Sequence, residues 1–252
     1  MKLNTKSALF PRAMVFAAVF ALACSATLAP LHAQDLMDQA SQSAKSHHLN
    51  YLAAGKPDAA TILAPPPAPD SAEQAADLDE VRAVYHAASS NDIAAAYAEK
   101  KFSVFNFTAA VGSYFVETNL PKTAAFFKKV QLDAETVTDL GKDFFQRPRP
   151  FTTDPSLANG KLEKSFSYPS GHSTESMVLA LVLADLLPDK HDAILAHARS
   201  IGWHRVQIAR HYQSDIYAGR VLAIAIVKQM KKSDSFEKDF AEVQAELAAA
   251  QK

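Results

Sequence analysis

From Ala76 onward, apolar positions recur every three or four residues through most of the chain. That is the spacing of helices that bury one face. "LDEVRAVYHAASS" and "DIAAAYAEKKF" are alanine-rich helical segments, with Ser90, Asn91 or Asp92 as the cap between them. "FSVFNFTAAVGSYFV" is apolar on nearly every side and predicts a central buried helix. "LPKTAAFFKKVQLDAETVTDLGKDFF" carries apolar residues at helical spacing and predicts two helices. Further helices are predicted at roughly 172–187, 190–212, 214–232 and 235–250. No segment alternates with the period of a strand, and no internal repeat is present. The expectation is an all-α fold, one domain with a helical bundle at its centre.

The pattern breaks in three places. At the N-terminus, Lys2, Lys6 and Arg12 precede the apolar run "AMVFAAVFALACSATLA", and "PLHA" ends in a small residue before Gln34. This reads as a secretory signal over residues 1–33, cut after Ala33. The alternative is an uncleaved anchor, for which a run of about 17 residues is short. Cys24, the only cysteine, lies in this segment, and "ALAC" weakly resembles a lipoprotein acylation site, with Ala21 where a larger aliphatic is usual. Cleavage would leave no cysteine in the mature chain, which fits an oxidising compartment and excludes disulfide staples. Residues 34–75 form an extended leader, in which Pro65, Pro66 and Pro67 favour polyproline II. Residues 76–252 form the helical domain, and no later segment is long and apolar enough to cross a bilayer. The third break is "QRPRPFTTDPSLANGKLEKSFSYPSG", a loop with four prolines and two glycines. Loops of this length within compact domains are usually functional.

At 252 residues the chain can bury a sizeable core, and its net charge is −1. A balanced charge argues against nucleic acid or a membrane surface as partner, so anion binding needs a local cluster. Three stretches offer one. "KDFFQRPRP" holds Lys142 and Arg149 seven apart, with Arg147 as a further candidate cation. Taken alone it is a basic helix C-terminus favoured by the macrodipole. "YPSGHST" places Ser170 and Gly171 at the mouth of a helix, where a hydroxyl and backbone N–H groups can hold an anion, with His172 able to donate a proton. Taken alone it is a helix cap. "HRVQIARHYQSD" sets Arg205 six residues before His211 and Asp215 four after it, on one helical face if the helix continues. A carboxylate there fixes the tautomer of the imidazole and leaves its other nitrogen as base or nucleophile. Taken alone it is a surface ion pair. His47 and His48 lie in the leader, and His86, His191 and His197 fall on polar or mixed faces; no metal-ligand spacing appears.

In this order the three motifs, Lys-x6-Arg-Pro, Pro-Ser-Gly-His and Arg-x5-His-x3-Asp, resemble the superfamily of bacterial non-specific acid phosphatases, type 2 phosphatidic acid phosphatases and vanadium haloperoxidases. The flanks "KPDAATILAPPP" and "QSDIYAGR" resemble the secreted class A acid phosphatases within it. The resemblance implies the all-helical fold of that superfamily and a periplasmic or secreted phosphomonoesterase that needs no metal or other cofactor. Lys142, Arg149 and Arg205 would hold the phosphate oxygens, with Ser170 and the Gly171 N–H completing the cradle. His211 would attack phosphorus, Asp215 would orient its ring, and His172 would protonate the leaving group and then activate water. Substrates would be phosphate monoesters such as nucleotides, sugar phosphates and aryl phosphates. No nucleic acid and no membrane span after cleavage are implied, and a homo-oligomer is compatible with the chain. A lipid-phosphate phosphatase or a vanadium-dependent haloperoxidase, with His211 as vanadate ligand, are the alternatives. One departure stands out: His204 occupies the position before the arginine where the family has serine. It either lines the pocket or packs.

Overall fold

The computed structural model describes residues 49–251. The proposed signal segment, Cys24, the first part of the leader and His47–His48 lie outside the described residues. Helices α1 (Ala59–Ile62), α2 (Ala72–Ala87), α3 (Ser90–Ala98), α4 (Thr108–Val111), α5 (Pro121–Phe145), α6 (Pro150–Thr153), α7 (Gly171–Leu186), α8 (His191–Gln207), α9 (Gln213–Met230) and α10 (Asp234–Ala250) follow one another, with no strand among the described residues. The fold is all-α.

The central helix is α7. It packs on α5, α8 and α9, and Val178, Leu179, Ala180, Val182 and Leu183 are completely buried. The stretch expected to be the central helix, "FSVFNFTAAVGSYFV", instead forms a 3-10 turn (Val104–Phe107) and the single turn α4, stopped at Gly112 with φ 137°. Phe107, Val111 and Phe115 are buried all the same. An apolar run records burial, and burial alone does not separate a helix from a loop pinned into the core. The segment expected as two helices is one, α5, of 25 residues. Its first turn has no side-chain cap of its own; Glu246 of α10 accepts from the N–H groups of Lys122 (3.0 Å) and Thr123 (2.8 Å) instead.

The part of the leader that is described belongs to the core. Tyr51, Leu52, Ala59 and Leu63 are buried in the main cluster. Asp133 of α5 accepts from the N–H groups of Asn50 (2.8 Å), Tyr51 (2.8 Å) and Leu52 (3.2 Å), so a fully buried carboxylate is satisfied by backbone. Helix α2 starts at Ala72, four residues before the periodicity became legible, with Ser71 as its cap. The cap of α3 is Ser89, in a reciprocal box with Asp92, one residue earlier than expected.

Two features position the site. A second apolar cluster, including Leu78, Val81, Phe151, Leu157, Tyr212 and Ile216, pins the long loop between α2 and the start of α9. Glycines also bring the helices close at the mouth of α7. A Cβ on Gly219 would stand 3.0 Å from the Ser170 carbonyl oxygen and 3.0 Å from Ser173 Cβ, and one on Gly202 would stand 3.2 Å from Ser173 Oγ. Any larger residue would push α9 or α8 away from the N-terminus of α7.

Candidate active site

Ser170 is the N-cap of α7, its Oγ accepting from the Ser173 N–H at 3.4 Å. The first-turn N–H groups that follow, beginning with Gly171, have no carbonyl partner within the helix and carry partial positive charge. Three cations gather at this end. Lys142, in the last turn of α5, donates through Nζ to the carbonyls of Pro169 (2.7 Å) and Phe166 (3.1 Å). Arg149, the cap residue of α6, donates to the Ser165 carbonyl (2.8 Å), Ser165 Oγ (3.0 Å) and the Arg210 carbonyl (2.8 Å). Arg205, in the last turn of α8, donates to the Ala96 carbonyl (3.1 Å) and to Glu163 (3.3 Å), and its buried Nε has no partner. Burial and the Arg149 charge push Lys142 down to about 8. Burial likewise depresses Arg149 and takes Arg205 down to about 10. Positive charges held together in a dry site are a stored demand for an anion.

His211 lies between them. It was expected to share a helical face with Asp215, but α8 ends at Gln207 and α9 begins at Gln213. The turn between them carries Ala209 at φ 54°. Asp215 sits in the first turn of α9, where its Oδ2 accepts from the Tyr212 N–H at 2.9 Å, and from there it meets His211 Nδ1 at 3.3 Å. The pair is made by a turn and a cap. Arg149 Nη1 stands 3.2 Å from His211 Nε2. A guanidinium has donors only, so Nε2 must present its lone pair and Nδ1 carries the proton toward Asp215. Burial, then Arg149, Lys142, Arg205 and His172, hold His211 well below the usual histidine range. The ring is neutral, with its Nε2 lone pair turned to Arg149.

Arg147, read from the sequence as a further candidate for the cradle, points elsewhere. It bonds Asp215 Oδ1 (2.6 Å), Asp77 (2.7 Å), Gln74 (2.7 Å) and Ser214 (2.7 Å) and lies over the Tyr212 ring at 3.9 Å. Ser167 Oγ donates to Asp215 Oδ2 at 2.5 Å. Asp215 is therefore held on both oxygens. Sequence reasoning missed Ser167, Asp77 and Glu163, which braces Arg205 and, at 2.8 Å, Arg210. All three are polar residues of ordinary types in unremarkable local patterns.

His172, in the first turn of α7, meets the Glu99 carbonyl through Nε2 at 3.1 Å and packs against the Phe102 ring. Burial, with the charges of Arg205, Lys142 and Arg149, lowers it to about 3. His204 turns aside from the cradle: its Nδ1 meets the Glu99 carboxylate at 2.7 Å. One position on a helix is about 100° round the axis, which separates it from Arg205. Replacing His204 with serine is expected to change kcat less than about tenfold, near 1.4 kcal/mol. It should lower stability by about 1–3 kcal/mol, because the Glu99 carboxylate loses a partner. Steady-state kinetics and urea denaturation check both; a loss equal to that of Arg205→Ala would place His204 among the groups that touch substrate.

The sequence pattern of the PAP2 superfamily matches residues 130–235, which hold Lys142, Arg149, Ser170, Gly171, His172, Arg205, His211 and Asp215. Over those residues the chain is similar to the PAP2 superfamily. The chain is similar to the non-specific acid phosphatase of Providencia stuartii, 31% identical over 152 residues, 58% of this chain and 61% of that protein. The non-specific acid phosphatase of Salmonella typhimurium is 30% identical over 56% of this chain and 59% of its own. An acid phosphatase of Zymomonas mobilis is 29% identical over 77% of this chain and 76% of its own. The chain thus spans about three fifths of the first two relatives. The first transmembrane PAP2 type phosphatidylglycerolphosphate phosphatase of Bacillus subtilis superposes with TM-score 0.47 and 20% identity, over 69% of this chain and 89% of that one. Among the described residues, no helix is long and apolar enough to cross a membrane. No group of three or more His, Cys, Asp or Glu is placed there to hold a metal ion.

Proposed function

We propose that this protein is a periplasmic or secreted acid phosphatase that hydrolyses phosphate monoesters through a phosphohistidine on His211, without a metal. The observation that carries this reading is the neutral His211, its Nε2 lone pair beside Arg149 and its Nδ1 facing Asp215. The similarity to acid phosphatases supports the substrate class, and the N-terminal sequence pattern supports export.

Phosphoryl transfer asks for positioning and positive charge more than for covalent machinery. The ester's non-bridging oxygens take the place among Lys142, Arg149, Arg205, Ser170 and the Gly171 N–H. Arginine's planar fork suits such oxygens. His211 Nε2 attacks phosphorus and the ester P–O bond breaks. The leaving oxygen takes a proton from His172. Water then gives a proton to His172 and attacks phosphorus, the P–N bond breaks, and phosphate leaves.

The free enzyme holds His172 neutral, since burial first, and then the charges of Arg205, Lys142 and Arg149, bring it to about 3. A bound dianion offsets those cations and raises the imidazole's basicity. The monoanionic ester present at acidic pH supplies the proton, passing it to His172 as the dianion settles in the cradle. This makes acid the favourable range.

The test is hydrolysis of p-nitrophenyl phosphate, a nucleotide and a lipid phosphate, with and without EDTA. Dialysis against EDTA is expected to leave the rate within about twofold, and orthovanadate to inhibit by taking the trigonal bipyramidal shape in the same cradle. A large loss restored by Mg²⁺ or Zn²⁺ would overturn the metal-free mechanism. Preference for the lipid phosphate alone would replace the monoesterase reading by a lipid phosphatase.

A further inference from the structure

One ionisable side chain at the cradle has no part in these steps. Glu175 lies one helical turn beyond Gly171 on α7. A Cβ built on Gly171 would stand 3.3 Å from Glu175 Oε1 and 4.0 Å from Lys142 Cε. The carboxyl and the lysine stem therefore flank the backbone that offers the Gly171 N–H. The partner of Glu175 is neutral: Gln131 Nε2 donates to its Oε2 at 3.1 Å and also reaches the Phe102 carbonyl at 3.3 Å. The Lys142 ammonium is committed to the carbonyls of Pro169 and Phe166. Across from it, α5 presents Glu135, Asp139 and Lys142, and its own helix presents His172. A carboxylate beside an anion cradle opposes the cradle's purpose, because it places negative charge where phosphate oxygens must settle.

We propose that Glu175 gates anion binding at the cradle by its protonation: neutral, it admits a doubly charged phosphate beside Gly171 and Lys142; ionised, it repels it. This rests on the phosphatase reading above and adds a regulatory group to that site. Burial raises Glu175 to about 7, with the Glu135 and Asp139 charges adding to it, while the Gln131 bond and Lys142 act the other way. The carboxyl is thus protonated through the acid range and ionises near neutrality, so the gate closes as pH rises. The same sign governs stability. A carboxyl raised above its unfolded value costs nothing below about 4.5, and the cost grows until pH passes 7. Glu175→Gln, which imitates the protonated form, is expected to be more stable than the wild type at pH 8 and equal to it at pH 4.

Sulfate keeps its double charge across this range and so reports the protein's titration alone. Its dissociation constant is measured by calorimetry on the full chain at pH 5.5 and 7.5, for the wild type, Glu175→Gln and Glu135→Gln. Glu135 is the neighbouring exposed carboxylate. Wild-type affinity is expected to fall about fourfold between the two values, since about a quarter of Glu175 is still protonated at pH 7.5, Glu135→Gln to follow it, and Glu175→Gln to fall less than about twofold. A parallel fall in wild type and Glu175→Gln, or no fall in the wild type, overturns the gate while leaving the cradle intact. Absence of sulfate binding to the wild type at pH 5.5 overturns both the gate and the proposed function.

Discussion

His211→Ala is expected to lower kcat by about 10⁴-fold or more, the scale on which deleting the attacking group of a covalent mechanism acts, and to abolish labelling of the protein by radioactive phosphoester. His172→Ala is expected to behave differently. The attack of His211 Nε2 needs the cradle and the lone pair, and neither passes through His172, which sits on the Glu99 side of the site. In the proposed mechanism His172 supplies the leaving group's proton, and the need for it falls as the leaving group becomes more acidic. With p-nitrophenyl phosphate the His172→Ala protein should still accumulate phosphoenzyme, and accumulate it longer, because water activation is also lost. With an alkyl phosphate it should form almost none. Rapid quench with each substrate decides the matter. Equal loss of label in both variants, whatever the leaving group, would show that the two histidines act as one unit.

The candidate residues were legible in the sequence through the three ordered motifs that carry the resemblance, and the structure brings Lys142, Arg149, Arg205 and His172 together around His211. Their construction was less legible. His211 and Asp215 four apart suggest a helix face, yet the pair is joined across a turn that Ala209 makes at positive φ and that Asp215 closes as a cap. The spacing i, i+4 is satisfied by both arrangements, and nothing local separates them. Arg147 and Arg149 were equally hard to tell apart. Helix α5 stops at Phe145, and Gln146 turns left-handed at φ 49°, so helical phase no longer says which arginine faces the pocket. Packing of the loop against α2 and α9 decides it, and that information lies in residues such as Asp77, seventy positions away. The apolar run at 102–116 failed as a helix for a related reason: Phe107 and Phe115 are buried in a core whose other members are mostly distant in sequence.

The same loop packing leads to the second large effect. Arg147→Ala is expected to lower stability by about 3–5 kcal/mol, the usual cost of removing one partner from a buried ion pair. Arg147 joins two carboxylates, Asp215, which is fully buried, and Asp77. Burial alone would lower its pKa, but Asp215 and Asp77 carry it above the usual guanidinium value, as a bridge between two anions should. Without it, Asp215 keeps Ser167 and the Tyr212 N–H but loses its only guanidinium contact among the described residues. With that contact gone, Asp215 is held less firmly against His211 Nδ1, so activity should fall with stability. For a chain of this size each kcal/mol is worth roughly 2–4 °C, so the melting temperature should drop by about 6–20 °C. Arg147→Lys keeps the charge but can reach fewer of the four acceptors, and is expected to recover part of the stability and little of the geometry. Thermal melts and kcat at several pH values for the two variants separate the contributions. A loss below about 1 kcal/mol for Arg147→Ala would mean that the network is worth no more than a surface ion pair, and that Ser167 with the α9 cap is enough to hold Asp215 against His211.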